Sequence, residues 1–147
     1  MMDHQITLLW YLKMRLIKSI YSGSVVTSLG ELSNTDTLDG PLAATITTLT
    51  DASTVTPDFT VSNNFTLTLG GNRTLANPTG LVPGQSGSIF IIQDSTGSRT
   101  LAYGSYWDFA GGGTAPTLTT TASAVDRIDY IVRSSTSIHA VFTGNYS

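Results

Sequence analysis

Residues 58–69 read DFTVSNNFTLTL, and this stretch decides the fold class. Apolar residues alternate with Thr and Ser in two runs, 59–62 and 65–69. An alternation with a period of two places apolar side chains on one face of a β-strand and polar side chains on the other. Asn63-Asn64 lies between the runs and is typical of a tight turn. The pattern therefore predicts a β-hairpin with one apolar face and one threonine-rich face.

Further strands are predicted towards the C-terminus. Residues 88–93 (SIFIIQ) form a continuous apolar run, which is typical of a strand buried on both faces. Residues 127–133 and 137–143 alternate around a Ser-Ser-Thr turn and predict a last hairpin. About seven or eight short strands separated by Gly, Pro and Asn turns predict an all-β domain, a β-sandwich or jelly-roll-like fold, over residues 58–147.

The composition favours strands and turns and excludes several classes of function. Of 147 residues, 24 are Thr, 17 are Ser and 14 are Gly, whereas only 12% are charged. Cys is absent, which excludes disulfides, thiolate metal sites and a cysteine nucleophile. The formal net charge of −3 argues against nucleic acid as a partner, because binding to phosphates needs a basic patch. No cofactor is predicted.

Residues 1–23 differ in charge from the rest of the chain. They carry Lys13, Arg15 and Lys18, whereas the remaining residues contain no Lys. Apolar residues recur at three- and four-residue steps over residues 6–20 and predict a helix. The run is too short and too cationic for a transmembrane span, so a membrane partner is not favoured. A helix docked on its own domain or on another subunit, a membrane-surface helix and an extended arm all stay open.

The N-terminal part is predicted to attach the protein to a partner. An apolar and cationic helix over residues 1–23 precedes a Ser/Thr-rich extended arm over residues 24–57, which we expect to be ordered by contact with other subunits. Within the arm, residues 42–49 are a candidate strand with poor alternation. The residues predicted to bind the partner are Leu9, Trp10, Arg15, Leu16, Ile17 and Lys18.

Six motifs follow one another between residues 67 and 130. They lie at residues 67–75 (LTLGGNRTL), 77–87 (NPTGLVPGQSG), 93–101 (QDSTGSRTL), 103–109, 113–118 and 124–130. In order and spacing these motifs resemble a module of tailed-bacteriophage virion proteins. The resemblance implies the C-terminal β-sandwich module of tail-fibre, minor structural and capsid-decorating proteins. It further implies a homo-oligomer, often a trimer, that is located in the virion and has other capsid or tail subunits as partners.

An aromatic segment is the candidate for a glycan-binding or interface loop. Tyr103, Tyr106, Trp107 and Phe109 lie within seven residues that also include Gly and Ser. Aromatic rings in such a segment bury a large area at a small cost in rotamer entropy. They therefore suit the core, a subunit interface or the stacking of a carbohydrate, and these alternatives stay open.

The remaining polar residues do not form a recognised catalytic pattern. Ser, His and Asp all occur, but the chain contains no Gly-x-Ser-x-Gly nucleophile elbow. Asp126 and Asp129 flank Arg127, a pattern that predicts cross-strand ion pairing or a polar subunit contact. The Gly111-Gly112-Gly113 run is predicted to be a loop beside Trp107 and Phe109. The sequence thus predicts a protein that is not an enzyme.

Two functions follow from these observations. The first is a capsid decoration or cement protein that docks on the assembled shell and reinforces it, for which a length of one domain without a fibre shaft is favourable. Many modest contacts by an oligomer would then add up to avidity. The alternative is a tail-fibre or baseplate tip protein that binds host surface glycan through the aromatic segment.

Overall fold

Two β-sheets form the part of the chain that the computed structural model describes, residues 44–146. Its strands are β1 (Ile46–Thr48), β2 (Thr54–Val55), β3 (Asn64–Leu69), β4 (Arg73–Leu75), β5 (Ser86–Gln93), β6 (Leu101–Tyr103), β7 (Trp107–Phe109), β8 (Val125–Ser134) and β9 (Ser137–Thr143). The large sheet has the order β1-β3-β5-β8-β9-β7, and the small sheet has the order β2-β4-β6. The all-β class is confirmed.

Consecutive strands alternate between the two sheets in the first half of this domain. β1, β3 and β5 lie side by side in the large sheet and pair in parallel. The strands that follow each of them, β2, β4 and β6, pair in parallel in the small sheet. The chain therefore completes three stacked coils, each of which contributes one strand to each sheet. β8 closes the stack because it pairs antiparallel with both β5 and β9.

The hairpin predicted over residues 58–69 is wrong. Its second run is β3, but β3 pairs in parallel with β1 and β5. Its first run is a turn, in which the Asp58 carboxylate accepts hydrogen bonds from the amide and hydroxyl of Thr60. Alternation specifies which face of a strand is buried but neither its partner nor its direction. The two sheets enclose a common core as predicted, yet five of the seven strand pairs are parallel, unlike those of a jelly roll.

The last hairpin and the strand predicted at residues 88–93 are confirmed, but the prediction that this strand is buried on both faces is wrong. The last hairpin is β8 and β9, which pair antiparallel around a short turn. The apolar run 88–93 lies within β5, near the middle of the large sheet. Only one face of β5 is fully buried, because the opposite face of the large sheet is not covered by the small sheet.

One hydrophobic core contains residues of both sheets. Leu67 and Ile91 of the large sheet and Leu75 of the small sheet are at most 1% exposed. Phe59 joins this core from the turn before β3, with its ring centroid 4.7 Å from that of Tyr130 and 5.7 Å from that of Phe65. Burying each large apolar side chain contributes about 1.5–3 kcal/mol to the free energy of unfolding. Phe59 thus links the coils to β8.

The described residues belong to one compact unit, Leu42–Ser147. The predicted boundary between arm and domain at residues 57/58 lies inside this unit, because β1 and β2 pair with β3 and β4. The candidate strand at residues 42–49 contains β1. The predicted attachment helix, its partner-binding residues and the arm up to residue 43 lie outside the described residues. Within residues 44–146, no helix has the length and apolarity needed to cross a bilayer.

Candidate functional site

The aromatic segment predicted as a binding loop packs against the core. Trp107 and Phe109 belong to β7 and are 5% and 8% exposed. The indole Nε1 of Trp107 donates to the carbonyl of Ala76 at 3.1 Å, and the rings of Tyr103 and Phe109 meet edge to face at 4.8 Å. Tyr103 and Tyr106 are only partly buried. The geometry therefore gives these rings a packing role, and a glycan or interface role for the segment stays a prediction.

Burial also changes the acidity of this segment. The hydroxyl of Tyr103 is buried without a hydrogen-bond partner in the described part of the chain. Desolvation raises the pKa of Tyr103, and the nearby Asp126 carboxylate adds to that rise. Desolvation likewise raises the pKa of Tyr130, whose hydroxyl donates to the carbonyl of Asn63 at 2.8 Å. Both phenols therefore stay neutral in the folded protein well into the alkaline range.

Ion pairs fix the turns that connect the large sheet to the small sheet. Arg73, at the start of β4, binds both carboxylate oxygens of Asp51, with Nε 2.8 Å from Oδ1. Asp94 accepts from the Thr96 and Gly97 amides through Oδ1 and from Arg99 through Oδ2. The hydrogen bonds from the two arginines lower the pKa of Asp51 and of Asp94. The Asp51–Arg73 pair joins the first coil to the second, and the Asp94–Arg99 pair restrains the third.

Two buried polar side chains hold the segment 110–124 between β7 and β8. Gln93 is 2% exposed and donates through Nε2 to the carbonyls of Arg99 and Thr119. Asp126 is 1% exposed and accepts hydrogen bonds from the amides of Thr119 and Asn145. These hydrogen bonds satisfy backbone carbonyl and amide groups that lie outside the paired strands. Both residues therefore act as internal clamps for this segment and for the C-terminal turn.

Arg127 forms its ion pair along β8 with Asp129, not across strands as predicted, and not with Asp126. Arg127 Nε donates to Asp129 Oδ2 at 2.9 Å on the outer face of β8. Asp126 lies on the inner face, because residues 126, 128 and 130 are buried in turn. The two acids are three residues apart, and an odd separation places them on opposite faces of a strand.

A groove of about 620 Å³ lies on the outer face of the large sheet at β7, β8 and β9. Asp108 pairs with His139, and His139 pairs with Ile131, so these side chains form one row across the three strands. Asp129 and Val141 form the next row. We call this surface the glycine-loop groove, after its wall, the loop Ala110–Gly113.

The glycines of the wall are needed for its shape. Gly111, Gly112 and Gly113 have φ values of 84°, 89° and 81°, a region that side-chain-bearing residues rarely adopt. A Cβ atom at any of them would meet no atom within 4 Å, so the tip of the loop is open. The Gly113 amide donates to the carbonyl of Phe109 at 2.9 Å and fixes the loop to the end of β7. The wall therefore presents backbone groups rather than side chains.

The groove combines an apolar floor with oriented carboxylates. Ile131 is 49% exposed and Val141 is 61% exposed, so the floor of the groove offers aliphatic surface to a ligand. Asp108 accepts from the hydroxyl of Ser137 at 2.7 Å, and Asp129 accepts from the hydroxyl of Ser88 at 2.6 Å. Each carboxylate keeps further lone pairs for a ligand.

Ser137, His139 and Asp108 are neighbours without forming a nucleophilic relay. In such a relay the serine hydroxyl donates to an imidazole, which a carboxylate orients. Here the hydroxyl of Ser137 donates directly to Asp108. This hydrogen bond holds the Asp108 carboxylate in place and does not activate the serine as a nucleophile. Across residues 44–146, no group of three or more His, Asp or Glu side chains is placed to hold a metal ion.

Sequence reasoning did not find the glycine-loop groove. One signal for it was present, because Ile131 is apolar at a position where the alternation of β8 puts polar residues outside. The glycine run was correctly placed beside Trp107 and Phe109. Neither signal shows that Asp108, His139 and Ile131 share a row, which depends on the pairing of β7 with β9.

Comparison with known protein families assigns the chain to a class. Residues 55–133 match the family described as "Putative phage tail fibre C-terminal domain". The match covers more than half of the 147 residues, and the chain belongs to this family. The resemblance to a phage virion module is thereby confirmed. The protein is a phage structural protein and a component of the virion. No curated protein and no solved structure matches the chain.

Proposed function

We propose that this protein is a non-enzymatic module of a phage tail fibre that contacts the host surface. The observation that carries the proposal is that the family match, residues 55–133, includes most of the glycine-loop groove. Asp108, the glycine wall, Asp129 and Ile131 all lie within the matched residues. The family is described by its place in tail fibres, and the groove is an open concave surface of the kind that recognises a ligand.

The build of the domain supports a recognition role. The floor of the groove lies on three hydrogen-bonded strands, and binding sites on strands keep their geometry better than sites on loops. The stacked coils at the other end of the large sheet are restrained by the Asp51–Arg73 and Asp94–Arg99 pairs. A restrained body with an accessible groove suits a domain that must present a surface to a cell.

Capsid decoration is the second candidate, and one observation favours it. The outer face of the large sheet exposes Ile46, Ile131 and Val141 at 53%, 49% and 61%. Exposed apolar residues on an uncovered sheet face suit docking on neighbouring shell subunits. Assembly as a homo-oligomer would multiply such contacts on a shell or on a fibre, and the family resemblance implies a trimer.

Immunogold electron microscopy of intact virions tests the proposal. Antibodies raised against the whole protein should label tail fibres, and their Fab fragments should block adsorption of the phage to its host. Label distributed over the head, with adsorption unaffected, would overturn the tail-fibre proposal in favour of decoration. Absence of label from purified virions would contradict both candidates.

We further propose that the N-terminal segment attaches the protein to other virion subunits. The residues concerned are Leu9, Trp10, Arg15, Leu16, Ile17 and Lys18. Replacing Trp10 and Leu16 with Asp should abolish incorporation into particles in a complementation assay, because charge would interrupt the apolar face. Val61→Asp is the control, since Val61 is exposed on a turn. Incorporation of the double variant at wild-type density would contradict this attachment.

A further inference from the structure

We propose that the glycine-loop groove binds a neutral saccharide and rejects anionic ones. The inference rests on the proposed function for its biological setting, but the ligand class follows from the chemistry of the groove. Three properties of the groove support this ligand class: no Lys or Arg lines it, its floor exposes aliphatic side chains, and its margins carry hydrogen-bond acceptors.

The charge of the groove disfavours an anionic ligand. Its lining includes the carboxylates of Asp108 and Asp129, and neither Lys nor Arg is among the described residues that line it. Arg127, two residues from Asp129 on β8, is held by Asp129 at 2.8 Å, and the ring of Tyr146 lies 5.0 Å from its guanidinium. A phosphate, sulfate or uronate in the groove would meet two like charges, and no lysine or arginine side chain lines the groove to offset them.

The other arginines of the described domain do not form a basic patch at the groove. Arg73 and Arg99 pair with Asp51 and Asp94 at the turns between the sheets. Arg133 is exposed on the outer face of β8, two residues beyond Ile131, but it does not line the groove. No Lys occurs after residue 18. The described domain therefore offers one exposed arginine near the groove rather than the basic patch that recognition of acidic polymers requires.

The floor of the groove matches the C–H face of a sugar ring. Ile131, opposite His139 on β8, and Val141, two residues along β9 from His139, expose aliphatic surface. The floor is shallow and has acceptors at its margins, so an apolar peptide anchor would have to desolvate carboxylates to enter. A saccharide can instead place C–H groups on the aliphatic side chains and turn its hydroxyls towards the margins.

The margins supply acceptors for those hydroxyls. Asp108 is oriented by Ser137, and Asp129 by Ser88 and Arg127, so that both carboxylates are held before a ligand arrives. Hydrogen bonds from a hydroxyl to an ionised carboxylate are shorter and stronger than those between neutral groups. The backbone of Gly111–Gly113 can add polar contacts, because no side chain covers it.

A matched pair of valine variants tests the site. Val141 and Val61 are both 61% exposed, but only Val141 lines the groove. The intact protein is applied to an array of neutral oligosaccharides (glucans, mannans and galactans) and anionic ones (alginate and hyaluronan fragments). Wild type should bind neutral members only. Val141→Arg should weaken that binding by about tenfold or more, which is 1.4 kcal/mol, whereas Val61→Arg should leave it unchanged.

A charge variant tests the selectivity. Asp108→Asn should weaken neutral saccharide binding several-fold, and Asp108→Lys should abolish it and introduce binding to anionic members. The melting temperature of each variant reports whether it is folded. Binding to anionic members only, binding to none, or binding that Val141→Arg leaves intact would each overturn the inference.

The inference and the proposed function fail separately. Label on tail fibres together with no neutral saccharide binding would reject the inference alone. Saccharide binding that Val141→Arg removes, together with label on the head, would reject the tail-fibre location and keep the site.

Discussion

The two halves of the large sheet are restrained in different ways. In the stacked coils, β1, β3 and β5 pair in parallel, and Asp51–Arg73 and Asp94–Arg99 fix the turns that leave them. At the opposite edge, β7 is followed by a wall of three glycines whose tip meets no side chain. The ion pairs of the coils fix turns, whereas the ion pair at the groove, Arg127–Asp129, joins two side chains of one strand. The comparison teaches that one charge-poor sequence builds a fixed frame at one edge and an accessible surface at the other.

Phe59→Ala should destabilise both halves of the large sheet and have the largest effect on the free energy of unfolding. Phe59 is 3% exposed and stacks on Phe65 of the coils and on Tyr130 of β8. Loss of its ring leaves a cavity, and we expect unfolding to become easier by about 3–5 kcal/mol in urea titrations. The half-exposed Tyr146 provides the control, since Tyr146→Ala should cost far less. An equal cost for both variants would show that Phe59 does not link the halves.

Asp126→Ala should affect mainly the half that carries the groove. It leaves the amides of Thr119 and Asn145 without the buried carboxylate that accepts from them. We expect a loss of about 1–3 kcal/mol, with faster hydrogen exchange in residues 110–124 and little change in the coils. Asp129→Ala, which removes a surface pair, is the control. Exchange that rises uniformly over the domain would contradict a local clamp.

The pH dependence of stability should distinguish the stacked coils from the half of the sheet that carries the groove. Arg73 lowers the pKa of Asp51 and Arg99 lowers that of Asp94, whose ordinary value is 3.8. A carboxyl with a depressed folded pKa stabilises fully above its ordinary value, and that stability is lost as pH falls through the folded value. Stability should therefore decline below about pH 4, and the Asp51→Asn variant should lose part of this decline. A profile unchanged in that variant would contradict the pairing.

The alkaline limit should depend on the aromatic core instead. Burial raises the pKa of Tyr103 and of Tyr130 above the ordinary value of 10.0. A group with a raised folded pKa keeps its stabilising contribution below the ordinary value and loses it as pH rises towards the folded value. Melting temperatures should therefore fall above about pH 10. The melting temperature of the Tyr103→Phe variant should fall less steeply with rising pH. Ultraviolet absorbance at 295 nm reports the ionisation of the phenols.

The smallest effect on stability is expected for the two valine variants. Val141→Arg and Val61→Arg change exposed side chains, and each should alter the free energy of unfolding by at most about 0.5 kcal/mol. Thermal unfolding measures this directly. A large loss for Val141→Arg would mean that the floor of the groove supports the sheet as well as contacting ligand.

Local patterns in the sequence determined which side chains are buried. Phe65, Leu67 and Leu69 were predicted on one face and are all fully buried, and the last hairpin was recognisable because its two strands are joined by a short turn. The composition alone also pointed to an all-β, charge-poor protein. Each of these features depends on neighbours within a few residues.

Only the tertiary structure decided how the strands pair and where the groove lies. β3 finds its partners in strands that begin at Ile46 and Ser86, and alternation does not encode direction or partner over such separations. Asp108 and Ile131 join in one row through His139, although β7 and β8 are separated by a long loop. A site made from three strands exists only after those strands pair. Their hydrogen-bond register is set by the packing of the whole core, and no local stretch of sequence encodes it.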